Sequence, residues 1–188
     1  MKKYLTCAET AKLIRQSLKE SFPGVKFSVR SNTYAGGASI NVKWTNGPNS
    51  KQVNAIVKRF EGSYFDGMTD YQGSNYSSIN GEEVSFGADF VFTERKYTAE
   101  FLQSTLEWTA AKYGVVNNMK VIDSQFGAWI EYTGGAKPMI GNMTLDEIAM
   151  NIASNYSFDD MAVSPTAASV SSLGDDGYGY NSVGRIAA

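Results

Sequence analysis

Phe22-Pro23-Gly24-Val25-Lys26-Phe27-Ser28-Val29-Arg30-Ser31, followed by Ser39-Ile40-Asn41-Val42-Lys43-Trp44, is the stretch that decides the fold of this chain. Val25, Phe27 and Val29 alternate with Lys26, Ser28 and Arg30, and Ile40, Val42 and Trp44 alternate with Ser39, Asn41 and Lys43. A period of two is the mark of a strand with one buried face. The loop 31–38, with Gly36-Gly37 near its end, joins the two into an antiparallel hairpin. One face of that hairpin is apolar and meets helices. The other is polar and weakly basic, and is left to water or a ligand.

Working outward, Thr6-Cys7-Ala8-Glu9 fits a capping box, in which the Thr hydroxyl takes the third amide and the Glu reaches back to the cap amide. Cys7, Ala11, Ile14, Leu18 and Phe22 then recur at spacings of four and three, one apolar helical stripe that Pro23-Gly24 terminates. Lys12, Arg15 and Lys19 make a second, basic stripe around the same helix. Downstream, Asn46-Gly47-Pro48-Asn49-Ser50 turns into another helix with Val53, Ile56, Val57 and Phe60 inward and Lys51, Lys58 and Arg59 outward, stopped by Gly62.

Residues 63–81 read as a long polar and aromatic loop carrying Tyr64, Phe65, Tyr71 and Tyr76. Loops of that length in a compact domain usually serve a function. Asp66 and Asp70 lack the alternating oxygen ligands of a calcium loop, so Asp66-Gly67 reads as a plain turn. Asn80-Gly81 predicts a hairpin that pairs a short strand at 76–79 with a strand placing Val84, Phe86, Ala88, Phe90 and Phe92 on one face. Thr98 caps a helix with Leu102, Leu106, Thr109, Ala110 and Tyr113 inward. Strands at 119–122 and 128–132 follow, then a second capping box at Thr144-Leu145-Asp146-Glu147, opening a helix with Leu145, Ile148, Ile152 and Tyr156 inward. From Ser157 the composition turns to Ser, Ala and Gly with Asp pairs, which predicts a disordered acidic tail over 157–188.

The strings FPGVKFSVRS, GGASINVKWTNGP, VNAIVKRFEG and FDGMTDY, in that order, resemble the large polyvalent protein-associated domain 29 family of phages and plasmids. The resemblance covers roughly the first half of the chain, to about Arg95. It implies a mobile-element origin and an accessory role beside invading DNA, and it carries no catalytic motif to transfer.

The charge is divided. Residues 1–60 hold eleven Lys and Arg against two Glu, a balance of +9, and residues 61–188 hold six basic against seventeen acidic residues, a balance of −11. Such halves either neutralise each other across one fold or face different partners. The absence of histidine removes the commonest general base and zinc ligand. Cys7 sits on the apolar stripe, with no base to activate it. The tip 32–37 is Gly-rich but lacks the Gly-Lys-Ser/Thr of a phosphate-binding loop. No set of residues fills the nucleophile, base and oxyanion roles. We therefore expect no enzyme, no cofactor and no metal site. With no apolar run of membrane-spanning length and no signal core behind Met1-Lys2-Lys3, the expected location is the cytoplasm of a bacterial host.

The expectation is an α+β fold with a mainly antiparallel sheet built from hairpins and helices on one face. It divides into a basic module at 1–95, an α-β-β-α extension at 96–156 that forms one continuous fold with it, and the tail at 157–188. The first functional reading is a non-catalytic accessory protein that binds nucleic acid through Lys12, Arg15, Lys19, Arg30 and Lys43, with Tyr34 as a stacking group. The second is an inhibitor of a host defence complex, of anti-restriction or anti-CRISPR type, acting through the acidic half. A third is a virion or structural component that self-associates. Tyr64, Phe65, Tyr71 and Tyr76 are the expected partner-contact residues.

Overall fold

The structure, a computed structural model, describes residues 2–175 and 181–182. In chain order the strands and helices are β1 (Lys3–Leu5), α1 (Cys7–Ser21), β2 (Ser28–Tyr34), β3 (Gly37–Thr45), α2 (Ser50–Val57) with a 3₁₀ turn at Lys58–Phe60, β4 (Ser63–Asp66), β5 (Tyr71–Ile79), β6 (Glu82–Phe86) and β7 (Phe90–Lys96). They continue with α3 (Ala99–Tyr113), β8 (Met119–Ile122), β9 (Trp129–Tyr132), β10 (Met139–Ile140), β11 (Met143–Thr144), α4 (Leu145–Asn155), α5 (Pro165–Ala168), β12 (Val170–Asp175) and β13 (Asn181–Ser182). This is the α+β class expected, with mostly antiparallel pairing. The described residues group into two compact units, one of 2–43, 51–94, 160–175 and 181–182, the other of 44–50 and 95–159.

In the first unit, α1 forms as its sequence dictates. The Glu9 amide donates to Thr6 Oγ1 at 3.3 Å and the Thr6 amide donates to Glu9 Oε2 at 2.8 Å, closing the capping box. Cys7, Ala11, Ile14 and Leu18 are buried together with Phe22, while Lys12, Arg15 and Lys19 are exposed. The helix stops at Ser21 because the residue before Pro23 is pushed out of the helical region, and Phe22 leaves it at φ −138° and ψ 71°. The β2–β3 hairpin runs in register from Ser28↔Lys43 to Tyr34↔Gly37. The expected loop 31–38 is thus mostly strand, with a two-residue turn in which Gly36 takes φ +90°. Val29, Ala38, Ile40 and Val42 are buried, and Ser28, Arg30, Asn32, Tyr34 and Lys43 are exposed.

Residues 63–81 are a second correction. They form β4 and β5, paired from Ser63↔Ser74 to Asp66↔Tyr71 around the turn 67–70, instead of a loop. Asp66 closes the turn by accepting from the Met68 amide at 2.9 Å and from Thr69 Oγ1 at 2.8 Å. The Asn80-Gly81 turn joins β5 to β6 as expected, with φ of 51° and 83°, the positive pair that a type I′ turn requires.

The single strand expected over Val84–Phe92 is broken. β6 lies between β1 and β5 in one sheet, whereas β7 belongs to the sheet ordered β2-β3-β7. The chain changes sheets at Gly87-Ala88-Asp89, so the alternation slips. Val84, Phe86 and Ala88 are buried, then Val91 is, and Phe92 is 55% exposed.

The tail expectation is corrected over the residues described. α5 and β12 are ordered, and β12 pairs with β5 from Val170↔Ile79 to Gly174↔Asn75. Ala167 and Val170 are buried, and Arg59 Nη1 donates to the Ala167 carbonyl at 3.2 Å. The Glu20 carboxylate accepts from Ser164 Oγ at 2.6 Å, the Thr166 amide at 3.0 Å and Thr166 Oγ1 at 2.8 Å. Backbone pairing and one carboxylate order this segment, and neither leaves an apolar period to read. The expectation for 176–180 and 183–188 lies outside the described residues.

In the second unit, Thr98 caps α3 and Gly114 ends it at φ 64°. Leu106, Ala110, Met119, Leu145 and Ala149 form the core. Two inward assignments fail: Tyr113 and Tyr156 are 43% and 52% exposed. Arg95 organises the connections. Its guanidinium donates to the carbonyls of Asn46 at 2.7 Å, Gly47 at 3.1 Å, Ala153 at 3.1 Å and Ser154 at 3.3 Å, the last two being orphan acceptors at the end of α4.

Two outcomes follow for stability. Ending the chain after Asp159 removes β12 and the Glu20 partners, and is expected to lower Tm by more than about 5 °C, a loss that starts at roughly 1.2–2.5 kcal/mol in a protein of this size. Calorimetry of the two lengths checks this. The hydrogen bond from Ser164, followed by those from Thr166, holds the Glu20 carboxyl down at about 2, against an ordinary 4.5. A depressed carboxyl stabilises the fold fully above its unfolded value and loses that contribution as the pH falls through its folded value. The Tm gap between wild type and Glu20→Gln is therefore expected to be widest near neutrality, and to close as pH falls from about 4.5 to about 2.

Candidate functional site

The five basic residues singled out from the sequence do not share one environment. Lys12, Arg15 and Lys19 all lie on the exposed side of α1. Lys12 borders a groove of about 520 Å³ that Lys3, Glu9 and Glu82 also line, so carboxylates stand beside it. Arg15 turns the other way, and its Nη2 donates to the Val29 carbonyl of β2 at 2.6 Å. That carbonyl belongs to the peptide leading into Arg30, so the helix stripe and the hairpin meet there. Arg30 and Lys43 lie on the same hairpin face, because Ser28 pairs with Lys43 and Arg30 with Asn41. Lys43, however, is ion-paired to Glu94. Among the described residues Lys12, Lys19 and Arg30 make no ion pair. Lys58 is held by Glu61 at 2.6 Å and by the Val91 carbonyl at 2.9 Å, so its role is internal.

Tyr34 lies on the hairpin face of Arg30 and Lys43, at its far end. It stands at the hairpin tip opposite Gly37, where a side-chain carbon on Gly37 would meet both the Tyr34 ring, at 3.0 Å, and Asp89 Oδ2, at 2.6 Å. The tyrosine therefore also neighbours a carboxylate. Asp89 was not singled out from the sequence. Its place inside an apparently continuous strand concealed it, and the Gly87-Ala88 ahead of it was the available signal.

The four aromatics of residues 63–81 divide between the faces of the β4–β5 hairpin. Tyr64 and Tyr71 share one face, with ring centroids 6.3 Å apart and edge-on. Tyr64 lies across Gly73, where any side chain would collide with its ring. Phe65 is on the other face, as is Tyr76, over whose ring Lys2 Nζ sits at 5.7 Å. Phe65 is 56% exposed and Met68, at the tip, 97%.

Among the described residues no three Cys, Asp or Glu gather as a metal site, and no helix is long and apolar enough to cross a membrane. Cys7 is buried, its thiol directed at the Ser39 carbonyl at 3.6 Å, and burial raises its pKa above 9.0.

No curated protein and no solved structure matches the chain. One family model does, that of large polyvalent protein associated domain 29, over residues 5–98. Those residues contain α1, the β2–β3 hairpin, the aromatic β4–β5 hairpin and the change of sheet at Gly87–Asp89. They make up half of the chain, which therefore belongs to the large polyvalent protein associated domain 29 family and is a protein associated with phages and other mobile elements.

Proposed function

We propose that this chain binds nucleic acid through its phosphates, at the surface where α1 meets the edge of β2. The observation that carries the reading is the Arg15 bond to the Val29 carbonyl, which brings the helix stripe beside Arg30, with Lys19 and Arg30 exposed and free of ion pairs among the described residues. Contacts of this kind supply affinity and little sequence choice. Lys43 contributes less than the others because Glu94 offsets its charge. Three contacts, from Arg15, Lys19 and Arg30, give a log–log slope of affinity against salt of about −2.1 on single strands and about −2.7 on duplex. Titrations of labelled DNA and RNA over a salt series measure it. Lys19→Ala with Arg30→Ala is expected to flatten the slope by about 1.4 to 1.8. An unchanged slope, or no binding at low salt, rules the reading out.

A second reading, an inhibitor that docks on a protein complex of host defence, draws support from the exposed Phe65 and Met68 at the β4–β5 tip. Exposed aromatics on a short hairpin give contact area at low entropic cost. Phe65→Ala with Tyr71→Ala is expected to leave Tm within about 2 °C of wild type, as for exposed positions, and to abolish host-protein capture that survives nuclease treatment. Capture that disappears with nuclease alone favours the nucleic-acid reading.

A further inference from the structure

A cup of about 590 Å³ opens where β1, the β2–β3 tip and the β6–β7 connection come together. That volume is in the range of small-molecule sites. Its lining is unlike the basic surface: among the described residues no Lys or Arg borders it, and Asp89 is the one charged residue that does. Tyr4 and Tyr34 flank it, 65% and 50% exposed, above hydroxyls such as those of Thr33 and Ser63.

Asp89 is fixed from every side. Its amide donates to the Ala38 carbonyl at 2.8 Å, and its carbonyl accepts from the Ser63 amide at 3.2 Å. Oδ2 accepts from the Ala38 amide at 2.8 Å, and Oδ1 accepts from Ser63 Oγ at 3.2 Å. Each carboxylate oxygen has a further acceptor position beyond the one it uses here. No cation among the described residues pairs with this partly buried carboxylate. A charge drawn out of water without a partner is costly, and a planar pair of N–H donors from a cation satisfies both its charge and its geometry. Gly37 keeps the Tyr34 ring and Asp89 Oδ2 close to one point, and Gly87 admits Tyr4, whose hydroxyl lies 2.6 Å from where a side-chain carbon would begin. Aromatic faces beside a carboxylate are the surroundings that organic cations prefer.

We propose that this cup is a binding site for a guanidinium group, with Asp89 as the bidentate counter-charge and Tyr34 and Tyr4 as its aromatic walls. The assignment does not depend on the nucleic-acid reading. A site with one carboxylate and no cation excludes phosphate, so the two activities occupy separate surfaces of the first unit.

The test titrates the full chain with ethylguanidine, its neutral isostere ethylurea, n-butylamine and inorganic phosphate, following the amide resonances of Gly37, Ala38 and Asp89 by NMR. A blocked Gly-Arg-Gly peptide forms a further arm. Saturable shifts with ethylguanidine are expected, at least tenfold tighter than with ethylurea, weaker with n-butylamine and absent with phosphate. Asp89→Asn is expected to weaken ethylguanidine at least tenfold. Tyr34→Ala, at a half-exposed ring, keeps the fold and is expected to weaken it at least threefold. Tighter binding of the peptide than of ethylguanidine assigns the group to a partner's arginine, the reverse to a free small molecule, and either upholds the site. Equal binding of ethylurea, competition by phosphate, no saturable shift with ethylguanidine, or unchanged affinity in either variant overturns it.

Discussion

The change of sheet at Gly87-Ala88-Asp89 is the constraint on which the first unit depends. Over three residues the chain leaves β1 and β5 and joins β3, and four backbone hydrogen bonds hold it there. The Gly87 amide donates to Leu5, the Asp89 amide to Ala38, and the Gly62 and Ser63 amides donate to the carbonyls of Ala88 and Asp89, at 2.7 to 3.2 Å. Gly87 tolerates no side chain, since one would approach the Leu5 carbonyl to 2.7 Å and the Cys7 amide to 2.9 Å. Both sheets, the start of α1 and the entry to β4 are thus referred to one short segment, which also carries the carboxylate of the cup.

What was legible in the sequence was local. A capping box and an apolar stripe specify α1 within sixteen residues or so, and period-two alternation specifies the β2–β3 hairpin, because each signal sits in the element it describes. The β4–β5 hairpin was hidden because its partners are Tyr64 against Gly73 and Ser63 against Ser74, pairs that bear no alternation of apolar and polar. α5 and β12 were hidden because their partners, Glu20 and β5, are about 90 to 145 residues away in sequence. The candidate site was half legible. Exposure of Lys12, Arg15, Lys19 and Arg30 follows from helical and strand periods, but Glu94 beside Lys43 and Asp89 beside Tyr34 are tertiary neighbours that no spacing announces.

The second unit raises a different point about the family. Arg95 lies inside the matched residues 5–98, yet two of the four carbonyls that satisfy its guanidinium belong to Ala153 and Ser154, outside them. An arginine whose donors lack acceptors is costly to bury, so in this chain Arg95 and the end of α4 are energetically coupled. The match ends in sequence at a place where the hydrogen bonding does not.

The pairing of β12 with β5 has a consequence for how the molecule is made. Ile79 emerges during synthesis about 90 residues ahead of Val170, its eventual neighbour. At typical elongation rates of about 5–20 residues per second, that interval lasts from several seconds to almost twenty. Throughout it, the outer edge of β5 presents unpaired backbone donors and acceptors, a template for any extended strand nearby, including a nascent copy on the same message. The completed protein covers that edge with its own chain, while the ribosome-bound intermediate is obliged to carry it open.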